Sequence, residues 1–183
     1  LVTGFFHLDG FLDCCDAILS RRDLVTRQKI LKDSRVGAFA VVCAILLFLF
    51  SFAALADCDF SYIWRALLLI PVVTRCMAGV AVETFAPMQT SQYASGFEAA
   101  QHKHQLTALA VLNVLAAAAG LLLLKSAWFT VSAIGAELFA LLVCRAARKN
   151  LGGMSGDISG FSMTLGELAG LLLLLAGQGA LWS

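Results

Sequence analysis

The sequence predicts an all-α fold, a polytopic transmembrane helical bundle of about five to six helices. The chain has 183 residues, of which 60% are hydrophobic and only 14% are charged, and its mean hydropathy is +0.86. Long uncharged runs recur along it, and a chain in lipid satisfies its backbone polar groups only within helices or closed barrels. With two prolines and no low-complexity linker, residues 1–183 are expected to form one integral-membrane domain.

The elements follow from the apolar runs in order. Residues 1–19 predict a helix, which we expect to continue a further N-terminal membrane segment that this sequence lacks. Five longer runs follow, each near the ~20 residues that a membrane-crossing helix needs. They cover residues 36–56, 60–82, 106–124, 127–144 and 162–182. The second run contains Arg65 and Arg75, whereas Glu137 and Glu167 lie in the fourth and fifth.

The basic residues predict an orientation, because lysine and arginine collect in the cytoplasmic loops of membrane proteins. Ten of the thirteen lie in loops 20–35, 83–105 and 145–161. The connection 57–59 holds two acids and no base. We therefore expect these three loops, and any site built from them, to face the cytoplasm.

Three aspartates, Asp9, Asp13 and Asp16, follow one another at i, i+4 and i+7 and so share one helix face. Like charges at this spacing destabilise a helix, and a carboxylate at membrane depth is costly unless it is paired. Mg²⁺ would compensate them because it prefers oxygen ligands. The prediction is a Mg²⁺ site on this face, with a solvated acidic helix end as the alternative.

Two neighbours of these aspartates are ambiguous in the sequence. His7 could act as a general base or contact substrate, but a lone histidine is more often a hydrogen-bonded structural group. Gly10 removes a side chain beside Asp9, which would admit either a ligand or a closely packed helix.

Basic residues near one membrane face are candidates for binding phosphate. Lys32 and Arg35 could do so, although they also fit the charge bias of a cytoplasmic loop. Asp33 is a candidate substrate contact or helix cap. Arg75 lies inside an apolar run, where a charge is a functional hypothesis by default, and its alternative is a side chain that reaches to the interface.

A glycine-rich segment, residues 152–157, precedes the last apolar run. Its backbone N–H groups could bind an anion, with Gly156 as a candidate contact. Asp157 ends the segment, and Glu167 follows ten residues later. Together with the opening aspartates, this predicts a metal–phosphate site divided between the two ends of the chain.

Four blocks of sequence occur in a recognisable order. They read TGFFHLDGFLDCCDA, KILKDSRVGAFAV, PVVTRCMAG and RKNLGGMSGDISGFSMTLGELAGLLLLL. Over essentially the whole chain they resemble the adenosylcobinamide-GDP ribazoletransferases, or cobalamin (5'-phosphate) synthases, and the first and last blocks are the specific ones. The upstream region of one or two further membrane helices that is usual in the family is absent here.

The resemblance implies an enzyme of the bacterial inner membrane that requires Mg²⁺ and has its active site at the cytoplasmic face. It would join adenosylcobinamide-GDP to α-ribazole or α-ribazole 5'-phosphate and release GMP, the nucleotide-loop step of cobalamin biosynthesis. The expected partners are these substrates and the lipid bilayer, with no nucleic acid. A homo-oligomer, or an association with other enzymes of cobalamin assembly, is left open.

The resemblance also implies roles for individual residues. The metal ligands would be Asp9, Asp13, Asp16, Asp157 and Glu167. One of the opening aspartates, or His7, would accept the proton of the ribose hydroxyl. The substrate-binding residues would be Lys32, Asp33, Arg35, Arg75 and Gly156. The chain departs from the family at Thr164, where a glutamate is common, and at Ala17, where a glycine is usual.

Two other functions remain open from the sequence. The aspartate spacing is also similar to that of CDP-alcohol phosphotransferases, which transfer lipid headgroups, but their Ala-Arg pair and the longer gap to the last aspartates are missing. A cation- or proton-coupled transporter would also explain acids in apolar helices. Its charges would lie near mid-membrane, whereas most charges here are predicted at one face.

Overall fold

The computed structural model describes residues 6–58, 60–88, 103–123 and 127–181. Within these ranges the chain forms seven helices and no β-strand beyond one isolated bridge, which confirms the predicted all-α fold. The helices are α1 (Phe6–Leu19), α2 (Leu24–Ile30), α3 (Ala38–Asp57), α4 (Phe60–Thr84), α5 (Lys103–Leu123), α6 (Ala127–Leu151) and α7 (Gly156–Leu181).

Four helical segments are long and apolar enough to cross a membrane, so the chain is an integral membrane protein. They are Ala38–Asp57, Ile63–Thr84, Trp128–Leu151 and Gly156–Gly177, and they match four of the five predicted spans. In the remaining one, 106–124, the structure places helix α5, with a shorter apolar stretch at His104–Ala116. The last residue of that predicted span lies outside the described residues.

Two helix boundaries differ from the sequence-based expectation. Helix α6 runs to Leu151 and α7 already begins at Gly156, so each extends about two turns beyond the apolar run that predicted it. Hydropathy marks only the part of a helix that lies in lipid, and these polar turns project beyond it. The glycine-rich segment is therefore a short connection whose last two residues open α7.

Helix α7 is the centre of the bundle and packs against α6, α1, α4 and α3. Small residues line its contact with α6. A methyl group on Gly166 would lie 2.6 Å from the Ala140 Cβ, and one on Gly170 would lie 2.7 Å from the Ala136 Cβ. Small side chains let two membrane helices approach closely, where van der Waals packing holds them together.

Helix α3 lies at the periphery and contacts mainly α1 and α7. Its buried residues are Ala40, Leu47 and Ala54, which recur every seven positions and so form a single stripe along the helix. The other faces carry exposed apolar side chains such as Phe48 and Phe52, as expected of a helix surrounded by lipid.

The connection between α6 and α7 is fixed to the residues that follow α4 by backbone hydrogen bonds. The Met88 N–H donates to the Met154 carbonyl at 2.8 Å, and the Met154 N–H donates to the Ala86 carbonyl at 2.9 Å. Gly153 has a φ of +155°, and a methyl group there would lie 2.5 Å from the Met88 Cα. A glycine is therefore needed at this crossing of two chain segments.

Candidate active site

Helices α1 and α7 cross with their backbones in close contact. A methyl group on Gly10 would lie 2.7 Å from the Asp157 Cα and 2.8 Å from its carbonyl oxygen. Reciprocally, one on Gly160 would lie 2.9 Å from the His7 carbonyl oxygen. Of the two alternatives for Gly10, the structure therefore supports close helix packing. This crossing brings the first and last sequence blocks together.

A cavity of about 820 Å³ opens beside the crossing. Its polar lining is formed by His7, Asp9, Lys32, Ser155, Gly156, Asp157 and Ser159, and its apolar lining by Phe6, Leu31, Val82, Met88, Gly160 and Met163. A volume of this order falls in the range of ligand pockets, about 300–1,000 Å³. The predicted site residues His7, Asp9, Lys32, Gly156 and Asp157 thus share one cavity.

Three carboxylates at the crossing, those of Asp9, Asp13 and Asp157, interact electrostatically. Burial raises the pKa of Asp13 from its ordinary 3.8 to about 7, with further contributions from the charges of Asp9, Asp157 and Asp16. Helix α1, which carries Asp13, is not one of the four membrane-crossing segments. The two ion pairs found among the described residues, Arg35–Asp33 and Arg75–Glu167, do not involve these acids. The crossing therefore concentrates negative charge that the described basic side chains do not neutralise.

The donor geometry for a metal is more restricted than the sequence predicts. Across the described ranges, no three Asp, Glu, His or Cys side chains are placed together closely enough to hold one ion. Mg²⁺ usually takes one or two protein carboxylates and completes its shell with water and substrate phosphates. Asp9 and Asp157 both line the cavity, and their carboxylate oxygens match this mode of Mg²⁺ coordination.

Two residues that were not predicted as site residues, Ser155 and Thr164, form hydrogen bonds to residues of the site. Ser155 lies just before α7, where its Oγ accepts a hydrogen bond from the Ile158 N–H and donates one to Asp157 Oδ2, both at 3.4 Å. A serine before a helix is a capping signal that the sequence already contains. Thr164, at the position where the family commonly has glutamate, donates from Oγ1 to the His7 carbonyl oxygen at 3.4 Å.

Asp16 forms hydrogen bonds to the start of a neighbouring helix. Its Oδ2 accepts a hydrogen bond from the Gly37 N–H at 2.6 Å, and its Oδ1 accepts one from the Ala40 N–H at 2.9 Å. Both donors belong to the start of α3. The structure thus places a buried helix cap where the sequence predicted a third metal ligand.

The segment 32–35 contributes one cation to the cavity. Lys32 lines it, whereas the exposed Arg35 forms a two-point ion pair with Asp33, from Nε to Oδ1 at 3.0 Å and from Nη2 to Oδ2 at 2.8 Å. These hydrogen bonds lower the pKa of Asp33 to about 2. Neither Asp33 nor Arg35 is part of the cavity lining, so the structure does not bring them to the other predicted residues.

Arg75 and Glu167 pair with each other at a distance from the cavity. Arg75 Nη1 donates to Glu167 Oε1 at 2.7 Å and to the Pro71 carbonyl at 2.9 Å. Glu167 lies ten residues after Asp157, about 15 Å along α7 at about 1.5 Å per residue. The structure therefore separates this pair from the aspartates. A second polar contact inside the bundle joins the Asn113 amide of α5 to the Glu137 carboxyl group of α6.

Comparison with known proteins finds a matching family and similar relatives. The family described as "Cobalamin-5-phosphate synthase" matches residues 1–175. The chain is 38% identical over 176 residues to an "Adenosylcobinamide-GDP ribazoletransferase" of Clostridium perfringens (strain SM101), covering 95% of this chain and 69% of the relative. A protein with the same name from Halalkalibacterium halodurans is 39% identical over 173 residues, covering 91% and 65%.

No solved structure matches the chain. The family match extends over nearly all of the sequence, including both blocks that meet at the crossing of α1 and α7. The chain belongs to the cobalamin-5-phosphate synthase family.

Proposed function

We propose that this protein joins adenosylcobinamide-GDP to α-ribazole, or to α-ribazole 5'-phosphate, and releases GMP. The observation that carries the proposal is the cavity at which Asp9 of α1 meets Asp157 of α7. These residues lie in the two most specific blocks of a chain whose family and relatives bear the name of this reaction. The cavity thus lies where the sequence is most typical of the family, which supports the proposal.

The cavity suits the ribazole and the reacting phosphates better than the whole corrinoid. Its volume of about 820 Å³ is that of a pocket for a nucleotide-sized ligand, whereas the corrin ring with its side chains is much larger and would remain outside. Leu31, Val82 and Met163 offer an apolar surface to an aromatic base, and Lys32 offers a cation to phosphate oxygens.

The proposed reaction is a nucleophilic displacement at phosphorus. The ribose hydroxyl oxygen of α-ribazole forms a bond to the phosphorus next to cobinamide, and the bond between that phosphorus and the bridging oxygen breaks. GMP leaves with the bridging oxygen. His7, which lines the cavity, or one of the opening aspartates would accept the hydroxyl proton.

We include Mg²⁺ in the proposal because the donor set fits it. Asp9 and Asp157 would hold the ion, and Asp13, which interacts electrostatically with both, would add negative charge nearby. Bound Mg²⁺ would neutralise the phosphate charge that develops as GMP leaves. Asp16 and Glu167 are left out because their carboxylate oxygens accept hydrogen bonds from α3 and Arg75.

The charge pattern supports a proposal for the membrane location. The cavity lies at the ends of α4 and α7 that adjoin the basic loops, and such loops remain in the cytoplasm. We therefore propose that the protein resides in the bacterial inner membrane with this cavity open to the cytoplasm. Soluble nucleotide substrates and Mg²⁺ would then have direct access to it.

The test measures GMP release by the purified protein in detergent from adenosylcobinamide-GDP and α-ribazole 5'-phosphate, with Mg²⁺ or with EDTA. We expect release that requires Mg²⁺ and falls by about two orders of magnitude or more in Asp157→Asn. Asp57→Asn, at the far end of α3, serves as the matched control and should retain activity. An absence of GMP from folded wild-type protein would contradict the proposal, and lipid headgroup transfer would be tested next.

A further inference from the structure

The carboxylate of Asp16 is buried and bonded on both oxygens. The residue is 8% exposed, and its two oxygens accept hydrogen bonds from the N–H groups of Gly37 and Ala40. The first N–H groups of a helix have no partner within the helix, and its N-terminus attracts negative charge. Asp16 of α1 therefore does for α3 what an N-cap side chain does within its own helix.

Helix α3 has no side-chain cap of its own. Its N-cap residue is Gly37, with no side chain to accept a hydrogen bond, and Ala40 is the third helical residue, whose N–H an N-cap side chain normally binds. Gly37 has φ −93° and ψ 175°, a conformation open to any residue. The backbone geometry at this position thus does not require glycine.

The space beside Gly37 explains the glycine. A methyl group there would lie 2.6 Å from Asp16 Oδ1 and 2.8 Å from Asp16 Cγ. Because two hydrogen bonds hold this carboxylate, it cannot easily move aside. A side chain at residue 37 would therefore displace the Asp16 carboxylate, and the two positions form a complementary pair from different helices.

We infer that Asp16 is a positioning residue that fixes α1 to the start of α3, and that it does not bind the catalytic cation. Helix α1 carries Asp9 and Asp13, and the chain that leads into α3 carries Lys32. Close contact with α7 at Gly10 holds one side of α1, and Asp16 holds another. The two hydrogen bonds of Asp16 thus set the position of Asp9 and Asp13 relative to Lys32.

The structural test compares three variants by thermal unfolding in EDTA. Asp16→Ala should lower the unfolding midpoint by about 2–8 °C, as expected for a lost cap in a chain of this length. Gly37→Ser alone should also lower it, because the new side chain meets the carboxylate. In Asp16→Ala, the same Gly37→Ser change should raise the midpoint, because the serine hydroxyl then has room to accept from the Ala40 N–H.

The activity test uses the same variants, and its interpretation rests on the proposed function, whereas unfolding in EDTA does not. Asp16→Ala should lower kcat by about tenfold or more with an unchanged Mg²⁺ concentration for half-maximal GMP release. Adding Gly37→Ser should recover part of kcat. Asp9→Asn, by contrast, should raise the Mg²⁺ requirement.

Two results would overturn the inference about Asp16. One is a higher Mg²⁺ requirement in Asp16→Ala that Gly37→Ser leaves unchanged, because a serine hydroxyl does not replace a carboxylate ligand. The other is a Gly37→Ser change that lowers the unfolding midpoint equally with and without Asp16. If folded wild-type protein releases no GMP while the unfolding pattern holds, the proposed function fails and the role of Asp16 as a cap is supported.

Discussion

Gly10 of α1 lies directly against the main chain of Asp157 in α7, so that a methyl group on Gly10 would come within 2.7 Å of the Asp157 Cα. The two residues belong to opposite ends of the sequence. Gly10 directly follows Asp9, and Asp157 is one of the three carboxylates at the crossing. Backbone contact of this kind leaves little freedom in the distance between the Asp9 and Asp157 side chains. The proposed site depends on it.

Replacing Gly10 with alanine should therefore impair both folding and activity. The new methyl group meets backbone atoms of Asp157, which cannot rotate away, and overpacking of this kind costs about 1–3 kcal/mol of unfolding free energy. GMP release should fall at least about tenfold. Gly79→Ala is the matched control, because the atoms nearest to its methyl group belong to the side chain of Leu109 and not to a backbone. Equal effects of the two changes would contradict the prediction.

The stability of the metal-free protein should depend on pH through Asp13. Its pKa is raised from 3.8 to about 7 on folding, so between these values the folded state holds a proton that the unfolded state has released. The contribution of Asp13 to stability is therefore greatest below about pH 4 and is lost as the pH rises toward 7. Unfolding midpoints in EDTA between about pH 5 and 8 should fall less steeply in Asp13→Asn. Identical slopes would argue against the shifted pKa.

Arg75 and Glu167 should behave as a structural pair. Glu167→Gln removes the charge partner of Arg75 inside two membrane-crossing helices, and we expect a loss of roughly 1–3 kcal/mol, because the side chains are 41% and 36% exposed. Replacing both residues with methionine should recover most of the stability and retain GMP release. A well-folded double variant without activity would instead support the phosphate-binding role predicted for Arg75 from the sequence.

Lys32→Met should raise KM for a phosphate-bearing substrate by about tenfold or more, because a charged hydrogen bond contributes about 1.5–3 kcal/mol. Lys29→Met, on the exposed side of α2, is the control and should leave KM unchanged. Assays with both forms of ribazole locate the contact. An effect confined to α-ribazole 5'-phosphate assigns Lys32 to that phosphate, and an effect on both forms assigns it to the GDP moiety. An unchanged KM would exclude both assignments.

The sequence was sufficient to predict the bundle and the core of the candidate site. Hydropathy predicts α3, α4, α6 and α7 because lipid leaves a chain few ways to satisfy its backbone. Helical spacing predicts a shared face for Asp9 and Asp13, and the alternation of basic loops predicts that Asp157 lies on the same side of the membrane. These are constraints that act locally or on whole segments.

Those arguments could not predict contacts between residues that are far apart in the sequence. Asp16 looks like its two neighbours in sequence, and only the position of α3, which begins more than twenty residues later, makes it a cap. The same holds for Glu167, whose partner lies 92 residues away. In each case the pattern identifies a carboxylate that needs compensation, and packing decides whether an N–H group, an arginine or a metal ion provides it.

The single buried stripe of α3 has a consequence for the evolution and engineering of this protein. Ala40, Leu47 and Ala54 are the buried residues of the helix, and Cys43 packs partly against α1, so the exposed apolar positions are the ones that face the lipid. A saturation library of α3 should accept almost any apolar residue at these exposed positions and reject enlargement at Ala40 and Ala54. The helix would then be a permissive place to attach a spectroscopic label that reports on the adjoining α1 without disturbing it.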